Sequence, residues 1–474
     1  MAQYRDGGVG MCLPALAMDR AVHQRRTAKS LTLAAMSFGF GVVQLDVTIL
    51  NTALGSIGSA LRAGVSEHQW VVSAYTVAFA ALILTAGALG DRVGAKRTFM
   101  IGFVIFTAAS VACAAAPTAT LLIAARAIQG AGAAILVPNS LALLNHAYRD
   151  ANERNRAVGI WAAGASLALM AGPLAGGGLI ALIGWRSIFV VNLPIGLTGL
   201  WLTWQYADET TRSPQRALDL PAQAAAMGSL GCLAGAIIEG GTVGWGNAWV
   251  ISCFAASVVL AACFVVREQR TDQPMLPLAL FRHRLFALAS LVGLLANVAF
   301  YGTIFVLSLF FQQESGRSAL ATGLAFLPMM AAVFPTNLLA SRVAGRWGAL
   351  RTIAAGAAIA AGGCASLTGI QPGAGYGELC APLVAIGAGL GLLVPPLTAM
   401  LLGSVETSRS GVAAGVLNAT RQTGSVLGVA VFGTLVQQSH TFVTGTHRSL
   451  IISACLFTIG MGIVLLFGRP AARD

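Results

Sequence analysis

Residues 67–116 decide the fold class, and they read EHQWVVSAYTVAFAALILTAGALG, then DRVGAKR, then TFMIGFVIFTAASVACAAA. Two apolar blocks of about twenty residues flank a short turn that carries most of the charge in this stretch. A helix needs about 20 apolar residues to cross roughly 30 Å of hydrocarbon. The stretch therefore predicts two membrane-spanning helices joined by a short polar turn.

The rest of the chain repeats this pattern. Of its 474 residues, 56% are hydrophobic and only 10% are charged, and the mean hydropathy is +0.77. Because a water-soluble domain carries about 25% charged residues, the composition predicts an all-α integral membrane protein. The net charge of +12 comes from basic residues that lie mostly between the apolar blocks. This placement favours a role in membrane topology over nucleic-acid binding. Fourteen spans are predicted, at 31–54, 67–90, 98–116, 119–145, 157–182, 188–207, 217–240, 247–267, 285–312, 319–342, 350–370, 377–403, 410–437 and 449–468.

The distribution of Lys and Arg predicts the orientation. With the N-terminus inside, 23 of the 29 basic residues fall on the cytoplasmic side and four fall outside. Arg126 and Arg421 are the two that lie within spans. The positive-inside rule therefore predicts that both termini are cytoplasmic. Residues 1–30 lack a long apolar core, so we interpret them as a cytosolic tail and not as a signal peptide.

Two short loops indicate an internal repeat. Residues 90–98 align without gaps on residues 344–352, with five of nine positions identical at an offset of 254. Chance similarity between loops rich in Arg and Gly is the alternative. Since the loops join spans 2 and 3 and spans 10 and 11, we predict two six-helix halves around two inserted helices, an arrangement typical of alternating-access transporters. The predicted domains are a tail (1–30), a first bundle (31–207), two inserted helices with linkers (208–284) and a second bundle with a short tail (285–474).

Asp46 and Arg126 lie deep inside predicted spans, where polar groups are costly and call for an explanation. Asp46 is about 15 residues into span 1, and Arg126 is about seven residues into span 4. A rise of about 1.5 Å per residue places both at similar depth, so they can pair if the two spans are neighbours. Burial disfavours the charged form of a carboxylate, whereas a nearby guanidinium favours it. Asp46 is therefore our first candidate for proton coupling, with Arg126 as its partner.

Other polar residues in the spans are weaker candidates. Glu239 lies at the outer end of span 7, where it can reach interfacial water. Arg421, with Asn418 and Gln422 near it, either lines a cavity or hydrogen-bonds a neighbouring helix. Asn51, five residues beyond Asp46, completes the set of candidate cavity residues with these four.

Span 5 contains the run Gly172-Pro173-Leu174-Ala175-Gly176-Gly177-Gly178. Proline removes a backbone hydrogen bond, and glycines permit close contact between helices. A merely distorted helix is the plain interpretation. The functional interpretation is a tight seam against which one half of the protein moves.

No metal, cofactor or catalytic site is predicted. The eight cysteines are scattered without a CxxC pair or a nearby His, so we interpret them as small packing residues. A receptor or an enzyme would need a soluble domain or a His/Asp/Glu cluster at a membrane surface. The polar loops are too short for such a domain, and the six histidines are scattered.

The motifs together resemble the major facilitator superfamily, and specifically its fourteen-span drug:proton antiporter family. The resemblance covers nearly the whole chain from residue 31. The residues that carry it are the loop Gly87-Ala88-Leu89-Gly90-Asp91-Arg92-Val93-Gly94-Ala95-Lys96-Arg97, the span-4 residues Leu122, Arg126, Gln129, Gly130 and Gly132, the span-5 run Gly172-Pro173-Leu174-Ala175-Gly176-Gly177, the span-1 run from Leu45 to Leu54, the run from Trp185 to Gly196 that begins span 6, and the second-half runs Leu309–Gln313 and Asn418–Gly424.

The resemblance implies a major facilitator fold and a function that needs no cofactor and is driven by a proton gradient. We expect proton-coupled efflux of amphiphilic drugs or antibiotics from a bacterial cytoplasm or inner leaflet. The expected partners are membrane lipids, protons and a small-molecule substrate, and the expected assembly is a monomer. The loop residues Gly87, Asp91, Arg92, Gly94, Lys96 and Arg97 are expected to gate the cytoplasmic side. Gln129 and Gly130 belong to the motif of the coupling arginine, and Gly172, Pro173, Gly176 and Gly177 to the antiporter motif of span 5.

The chain also departs from the family pattern. Gly55 stands where the span-1 motif usually ends in Pro, and spans 10 and 13 lack the acidic residues of exporters that move dications. Monocationic, zwitterionic or neutral amphiphiles are therefore the expected cargo. The alternative is a dedicated exporter of one metabolite, such as a self-made antibiotic, an amino acid or a lipid.

Overall fold

The structure is a computed structural model that describes residues 12–212, 219–271, 274, 276–406 and 410–467, with side chains from residue 27 onward except at 151, 410 and 411. Every regular element in these ranges is a helix. The α-helices are α1 (Cys12–Ile49), α2 (Leu54–Leu61), α3 (Val65–Val93), α4 (Ala95–Ala115), α5 (Ala119–Ala147), α6 (Ala151–Ile183), α7 (Ser187–Val190), α8 (Asn192–Tyr206), α9 (Leu220–Val243), α10 (Ala248–Arg270), α11 (Arg284–Leu309), α12 (Ala319–Trp347), α13 (Ala349–Ser366), α14 (Tyr376–Gly403), α15 (Ser410–Gln437) and α16 (Phe442–Phe467).

The helices correspond in order to the fourteen predicted spans. A 3₁₀ turn at Leu50–Ala53 joins α1 to α2 within span 1, and α7 and α8 together form span 6. Thirteen of the described helical spans are long and apolar enough to cross a membrane, and α15 is the span outside that set. The polar side chains of α15, Arg421 among them, explain its lower hydropathy.

Helix ends differ from the predicted boundaries where polar residues remain helical. The first helix already begins at Cys12, inside the stretch interpreted as a tail, and α16 begins at Phe442 rather than at 449. A helix satisfies its own backbone hydrogen bonds whether or not its side chains are apolar. Hydropathy therefore marks the part of a helix that suits lipid, and not the point where the helix starts.

The two loops of the repeat contain the same backbone turn. Gly94 separates α3 from α4 with φ +114°, and Gly348 separates α12 from α13 with φ +86°. L-residues with a Cβ rarely adopt such positive φ values, so both turns require glycine. The two glycines are 254 residues apart, as the alignment of the loops predicts.

The helices form two bundles of six spans. In the first, α1 packs against α5, α6 and α8, and α5 also packs against α3 and α4. In the second, α11 packs against α15 and α16, while α14 packs against α12 and α13. The predicted fold class, two six-helix bundles with two inserted helices, is confirmed.

Contacts of α3 with α15 and of α6 with α12 join the two halves. We call the side of the protein that holds the turn at 92–97 the loop side, and the other end of the spans the opposite side. On the opposite side, the buried Gln69 donates to the carbonyl oxygens of Val429 and Ala430 at 3.1 and 2.7 Å. An apolar cluster there contains side chains of both halves, including Leu50 and Phe305.

The inserted helices lie beside this junction. Gln223 of α9 donates to the carbonyl of Ala81 at 2.8 Å, and Trp70 of α3 donates to Glu239 of α9 at 3.0 Å. Thr434 of α15 donates to a carbonyl oxygen of α9 at 2.9 Å, so α9 contacts both halves. The second inserted helix, α10, packs against α9 and exposes most of its other side chains.

Candidate functional site

Asp46 and Arg126 meet in the middle of the first bundle. The Arg126 Nη1 atom lies 2.5 Å from Asp46 Oδ2, and each side chain is only 1% exposed. Spans 1 and 4 are neighbours because α1 packs against α5. The residues that the sequence places at equal depth therefore form a buried ion pair.

Two amides bind the other carboxylate oxygen. Gln129 Nε2 donates to Asp46 Oδ1 at 2.8 Å, and Asn192 Nδ2 donates to the same oxygen at 3.1 Å. Both amides also reach Ser110 Oγ, at 2.9 and 3.3 Å. Helices α1, α4, α5 and α8 thus contribute one polar network, in which all five side chains are at most 1% exposed.

Arg126 is held from three further directions. Its Nε atom donates to the carbonyl of Val71 at 3.2 Å, and its Nη1 atom donates to Gln129 Oε1 at 2.7 Å. The guanidinium carbon lies 4.2 Å from the centre of the Tyr75 ring, a cation–π distance. These contacts fix the orientation of the guanidinium fork toward Asp46.

Two glycines of the span-4 motif let the helices approach closely enough to form this network. A Cβ on Gly130 would lie 2.2 Å from the carbonyl oxygen of Tyr75, and a Cβ on Gly132 would lie 2.7 Å from the backbone nitrogen of Phe106. Side chains at these positions would push α5 away from α3 and α4. The glycines therefore help to place Arg126 and Gln129 beside Asp46.

Every oxygen of the Asp46 carboxylate has at least one donor, which is the condition under which a buried charge is tolerated. The network can accept a proton on Asp46 only if a donor gives way, since a protonated carboxyl needs an acceptor for its own O–H. Among the described residues, no cluster of three or more His, Cys, Asp or Glu side chains is suited to a metal ion. What the described residues place here is a buried carboxylate with a hydrogen-bond donor on each of its two oxygens.

The turn at 92–97 is bound by a residue that follows span 6. Glu209 accepts hydrogen bonds from the backbone nitrogens of Lys96 and Arg97 at 2.9 and 3.2 Å, at the first turn of α4. A Cβ on Gly94 would lie 2.5 Å from the Glu209 carboxyl carbon. A carboxylate at a helix N-terminus satisfies free N–H groups and complements the helix dipole. Of the other predicted loop residues, Arg92 is exposed, Asp91 is half-buried, and Gly87 packs near Pro138.

The span-5 glycines contact two different partners. Cβ atoms on Gly172 and Gly176 would meet Thr48 and Thr52 of span 1, within the first half. A Cβ on Gly177 would lie 2.7 Å from the Cα of Leu320, on α12 of the second half. The carbonyl of Pro173, which lies within an unbroken α6, also faces α12. The motif thus packs α6 against α1 and against the second half together.

Comparison with known proteins identifies the family. The family model of the Major Facilitator Superfamily matches residues 36–429. The chain belongs to this superfamily. It is 34% identical over 452 residues to the methylenomycin A resistance protein of Streptomyces coelicolor, covering 95% of each chain. It is 37% identical over 411 residues to the multidrug resistance protein Stp of Mycobacterium tuberculosis, covering 86% of this chain and 75% of that protein.

Solved structures agree on the fold of this major facilitator. A bacterial homologue of the human lysosomal transporter Spinster, in an inward-facing and unoccupied conformation, superposes with a TM-score of 0.66 at 16% identity, over 93% of this chain and 97% of that one. At this identity the likeness concerns the fold alone. The protein is a multi-pass membrane transporter of a small molecule, and its family is one of transporters and not of enzymes.

The candidate cavity residues of this transporter do not form one group. Asn51 is buried where the halves meet, and its carbonyl accepts from Gln312 Nε2 at 3.2 Å. Glu239 lies apart from Asp46, on α9, where it accepts from Trp70 and from Ser66 at 3.2 Å. Glu239 lies near the end of α9, four residues before Val243.

The polar residues of α15 are half-buried in the second half. Asn418 donates to the carbonyl of Ala414 at 3.1 Å, in its own helix. Arg421 makes no hydrogen bond or ion pair with any residue that the structure describes. Gln422 is half-buried beside it. A guanidinium without a protein partner leaves its donors available to another molecule.

An apolar cavity of about 600 Å³ lies within the first half and not between the halves. Helices α1 and α6 form most of its lining, and Ile195 of α8 completes it. It extends from Ser30, near the loop side, to Leu45 beside Asp46. The cavity therefore reaches the chain segment that carries the coupling candidate.

Sequence reasoning missed four residues that tie these regions together: Ser110, Asn192, Glu209 and Gln69. Three of them are polar residues inside apolar blocks, the same signal that marks Asp46. Asn192 lies in the run from Trp185 to Gly196, which the sequence marks only as a whole. Glu209 carries no such signal, because a carboxylate in a loop between spans is ordinary.

Proposed function

We propose that this protein exports amphiphilic drugs or antibiotics across a bacterial cytoplasmic membrane in exchange for protons. The buried pair of Asp46 and Arg126 is the observation that carries the proposal. Asp46 is the described carboxylate that is buried near the middle of a span, so a proton on it changes the local charge with little screening by water. The relatives named for resistance to antibiotics support export as the direction of transport.

Alternating access would supply the movement. Gln69 and Gln312 hold the halves together on the opposite side, and these bonds would break when that side opens. On the loop side, the turn that contains Asp91, Arg92 and Gly94 would act as the gate, and Glu209 would keep its backbone in place. The span-5 glycines would form the seam along which α12 moves.

Cargo would bind between the halves. Arg421 supports this placement, because it is half-buried in a span and has no described protein partner. Asn418 and Gln422 on the same helix would add hydrogen bonds, while Asn51 would close the site on the opposite side. Protonation of Asp46 from outside would accompany release of the cargo.

We further propose that both termini are cytoplasmic and that a monomer embedded in lipid is the working unit. The excess of Lys and Arg on the loop side supports this orientation. The complete pair of bundles within one chain supports a monomer, since the path between them needs no second copy.

The experiment that tests the function is transport by Asp46→Asn in proteoliposomes with an imposed pH gradient. Asparagine keeps the size of the side chain but cannot exchange a proton. We expect pH-driven export of a drug substrate to be lost, while exchange of labelled for unlabelled drug without a gradient continues. Glu378→Gln, which changes an exposed carboxylate on the opposite side, should transport like the wild type. Full pH-driven export by Asp46→Asn would disprove the assignment.

A dedicated exporter of one antibiotic is the second candidate. The relative aligned over 95% of each chain is named for resistance to a single antibiotic. Expression in a drug-sensitive bacterium followed by a susceptibility panel separates the two functions. Resistance to many unrelated compounds supports multidrug export, whereas resistance to one compound class supports the dedicated exporter.

A further inference from the structure

Among the described side chains that bind Asp46, Asn192 has an oxygen without a hydrogen-bond donor. The residue begins α8 at the break with α7, and its side chain is fully buried. Its Nδ2 atom donates to Asp46 and to Ser110, but its Oδ1 atom is buried without a hydrogen-bond partner among the described residues. A buried carbonyl oxygen without a donor is costly, so it calls for an explanation.

Gln129, the other amide at the carboxylate, is held at both ends. Its Oε1 atom accepts from Arg126 at 2.7 Å and from Cys113 Sγ at 3.6 Å, while its Nε2 atom donates to Asp46 and Ser110. If this amide turned over, its NH₂ group would face the guanidinium. The side chain of Asn192 has no such bond at its oxygen, so it is the amide that can turn.

The charged and titratable groups around Asn192 come from four helices. Asp46 of α1 and Arg126 of α5 form the ion pair, and Tyr75 of α3 and Cys113 of α4 surround it. On the segment of Asn192 itself, Arg186 is turned away, because its guanidinium bonds the carbonyl of Ala116. Among the described residues, Asp46 is thus the carboxylate that this amide contacts.

We propose that the Asn192 amide turns by about half a turn when Asp46 takes up a proton. The proton adds to Asp46 Oδ1, the two hydrogen bonds from Asn192 Nδ2 break, and the new carboxyl O–H donates to Asn192 Oδ1. Loss of the proton reverses each step. Asn192 is a positioning residue that donates to the carboxylate in one state and accepts from the acid in the other.

The other side chains bonded to the carboxylate are not suited to accept a hydrogen bond from protonated Asp46. A guanidinium has only donors, so Arg126 can never accept the acid proton. Gln129 Oε1 already accepts from Arg126. When Asn192 turns, it also releases Ser110, which is a contact between α8 and α4. Protonation of Asp46 therefore loosens a helix contact, which links proton binding to movement of the bundle.

This inference rests on the proposed function, and an isosteric pair of variants tests it. In Asn192→Thr, the hydroxyl can both donate to the carboxylate and accept from the acid. In Asn192→Val, neither bond can form. We expect Asn192→Thr to keep pH-driven export and Asn192→Val to lose it by about tenfold or more, as for loss of a charge-assisted hydrogen bond. Thr203→Val is the matched control, because Thr203 is buried on the same helix and bonds only the carbonyl of Gly199.

Infrared difference spectroscopy between high and low pH measures the switch directly. Asp46→Asn identifies the acid carbonyl band of Asp46 and the amide carbonyl band that changes with it. In the wild type, the Asn192 carbonyl band should move to lower frequency when Asp46 is protonated, and this signal should be absent from Asn192→Val. An unchanged Asn192 band, or wild-type export by Asn192→Val, would overturn the inference. Those results would leave the proposed function intact, which fails instead if Asp46→Asn remains coupled.

Discussion

At the scale of single residues, the first bundle holds a charge pair that its surroundings must stabilise. Moving two ions into a low-dielectric interior costs several kcal/mol each, and removing one partner of such a pair costs about 3–5 kcal/mol. Asp46 accepts three hydrogen bonds, and Arg126 donates three. The amides and the carbonyl of Val71 therefore replace much of the hydration that the two ions lose.

Arg126→Lys tests whether geometry or charge alone is needed. A lysine ammonium keeps the charge but lacks the planar fork that reaches Asp46, Gln129 and the carbonyl of Val71 together. Losing one charge-assisted hydrogen bond costs about 1.5–3 kcal/mol, so we expect pH-driven transport to fall by about tenfold or more. Arg186→Lys, at an exposed arginine, should have a small effect. Equal transport rates for Arg126→Lys and the wild type would show that charge alone suffices.

At the scale of elements, glycines determine which helices touch. Gly130 lets α5 reach α3, while Gly172 and Gly176 let α6 reach α1, and Gly177 lets α6 reach α12. Without a hydrophobic driving force between helices in lipid, such close packing supplies much of the attraction. The same glycines carry the resemblance seen in the sequence, and their close contacts give that resemblance a steric basis in this protein.

Adjacent glycines on α6 provide a direct test of the seam. In Gly177→Ala, the new methyl group would lie 2.7 Å from Leu320 Cα, whereas in Gly178→Ala it would meet nothing within 4 Å. We expect Gly177→Ala to push the halves apart on the opposite side and Gly178→Ala to behave like the wild type. Spin labels at Arg62, which follows α2 in the first half, and at Gln371, between α13 and α14 in the second, measure the separation in a background without reactive cysteines. The same distance distribution in both variants would contradict this account of the seam.

At the scale of the whole molecule, the inserted helices are attached asymmetrically. Helix α9 is hydrogen-bonded to α3 near both ends of α9, through Gln223 and Glu239. The described hydrogen bonds from α15 and from Gln438, which follows it, reach α9 only toward the opposite side. This arrangement favours movement of α9 and α10 together with the first half. In the proposed alternating access, the contact of this pair with the second half would break when the opposite side opens.

Trp70→Phe tests the attachment of α9. The substitution removes one N–H donor to Glu239 and keeps most of the aromatic surface. A hydrogen bond to a charged group contributes about 1.5–3 kcal/mol, so we expect a lower apparent melting temperature of the purified protein. Trp249→Phe is the control, since Trp249 of α10 is 64% exposed. If both variants melt at the same temperature as the wild type, the bond to Glu239 contributes nothing to stability.

Local properties of the chain were enough to predict the spans and the deep polar residues Asp46 and Arg126. Hydropathy and the cost of polar groups in lipid act residue by residue, so the sequence alone reports them. Alignment of the two loops predicted the repeat, because the turn at Gly94 and Gly348 requires the same residue. The start of α16 at Phe442 was not predicted, because the helix extends through polar residues beyond its apolar block.

Which helices are neighbours, and therefore which groups share the carboxylate, became known from the packing of the folded chain. Ser110, Gln129 and Asn192 come from three helices, and no spacing along the chain relates them. Glu209 could be assigned to the N-terminus of α4 only once the end of span 6 was placed beside it. The physical reason is that helix contacts depend on steric fit at sites such as Gly130 and Gly177, where a single Cβ would separate two backbones. Hydropathy alone predicted that Asp46 lies deep in a span, whereas helix packing determined which groups surround it.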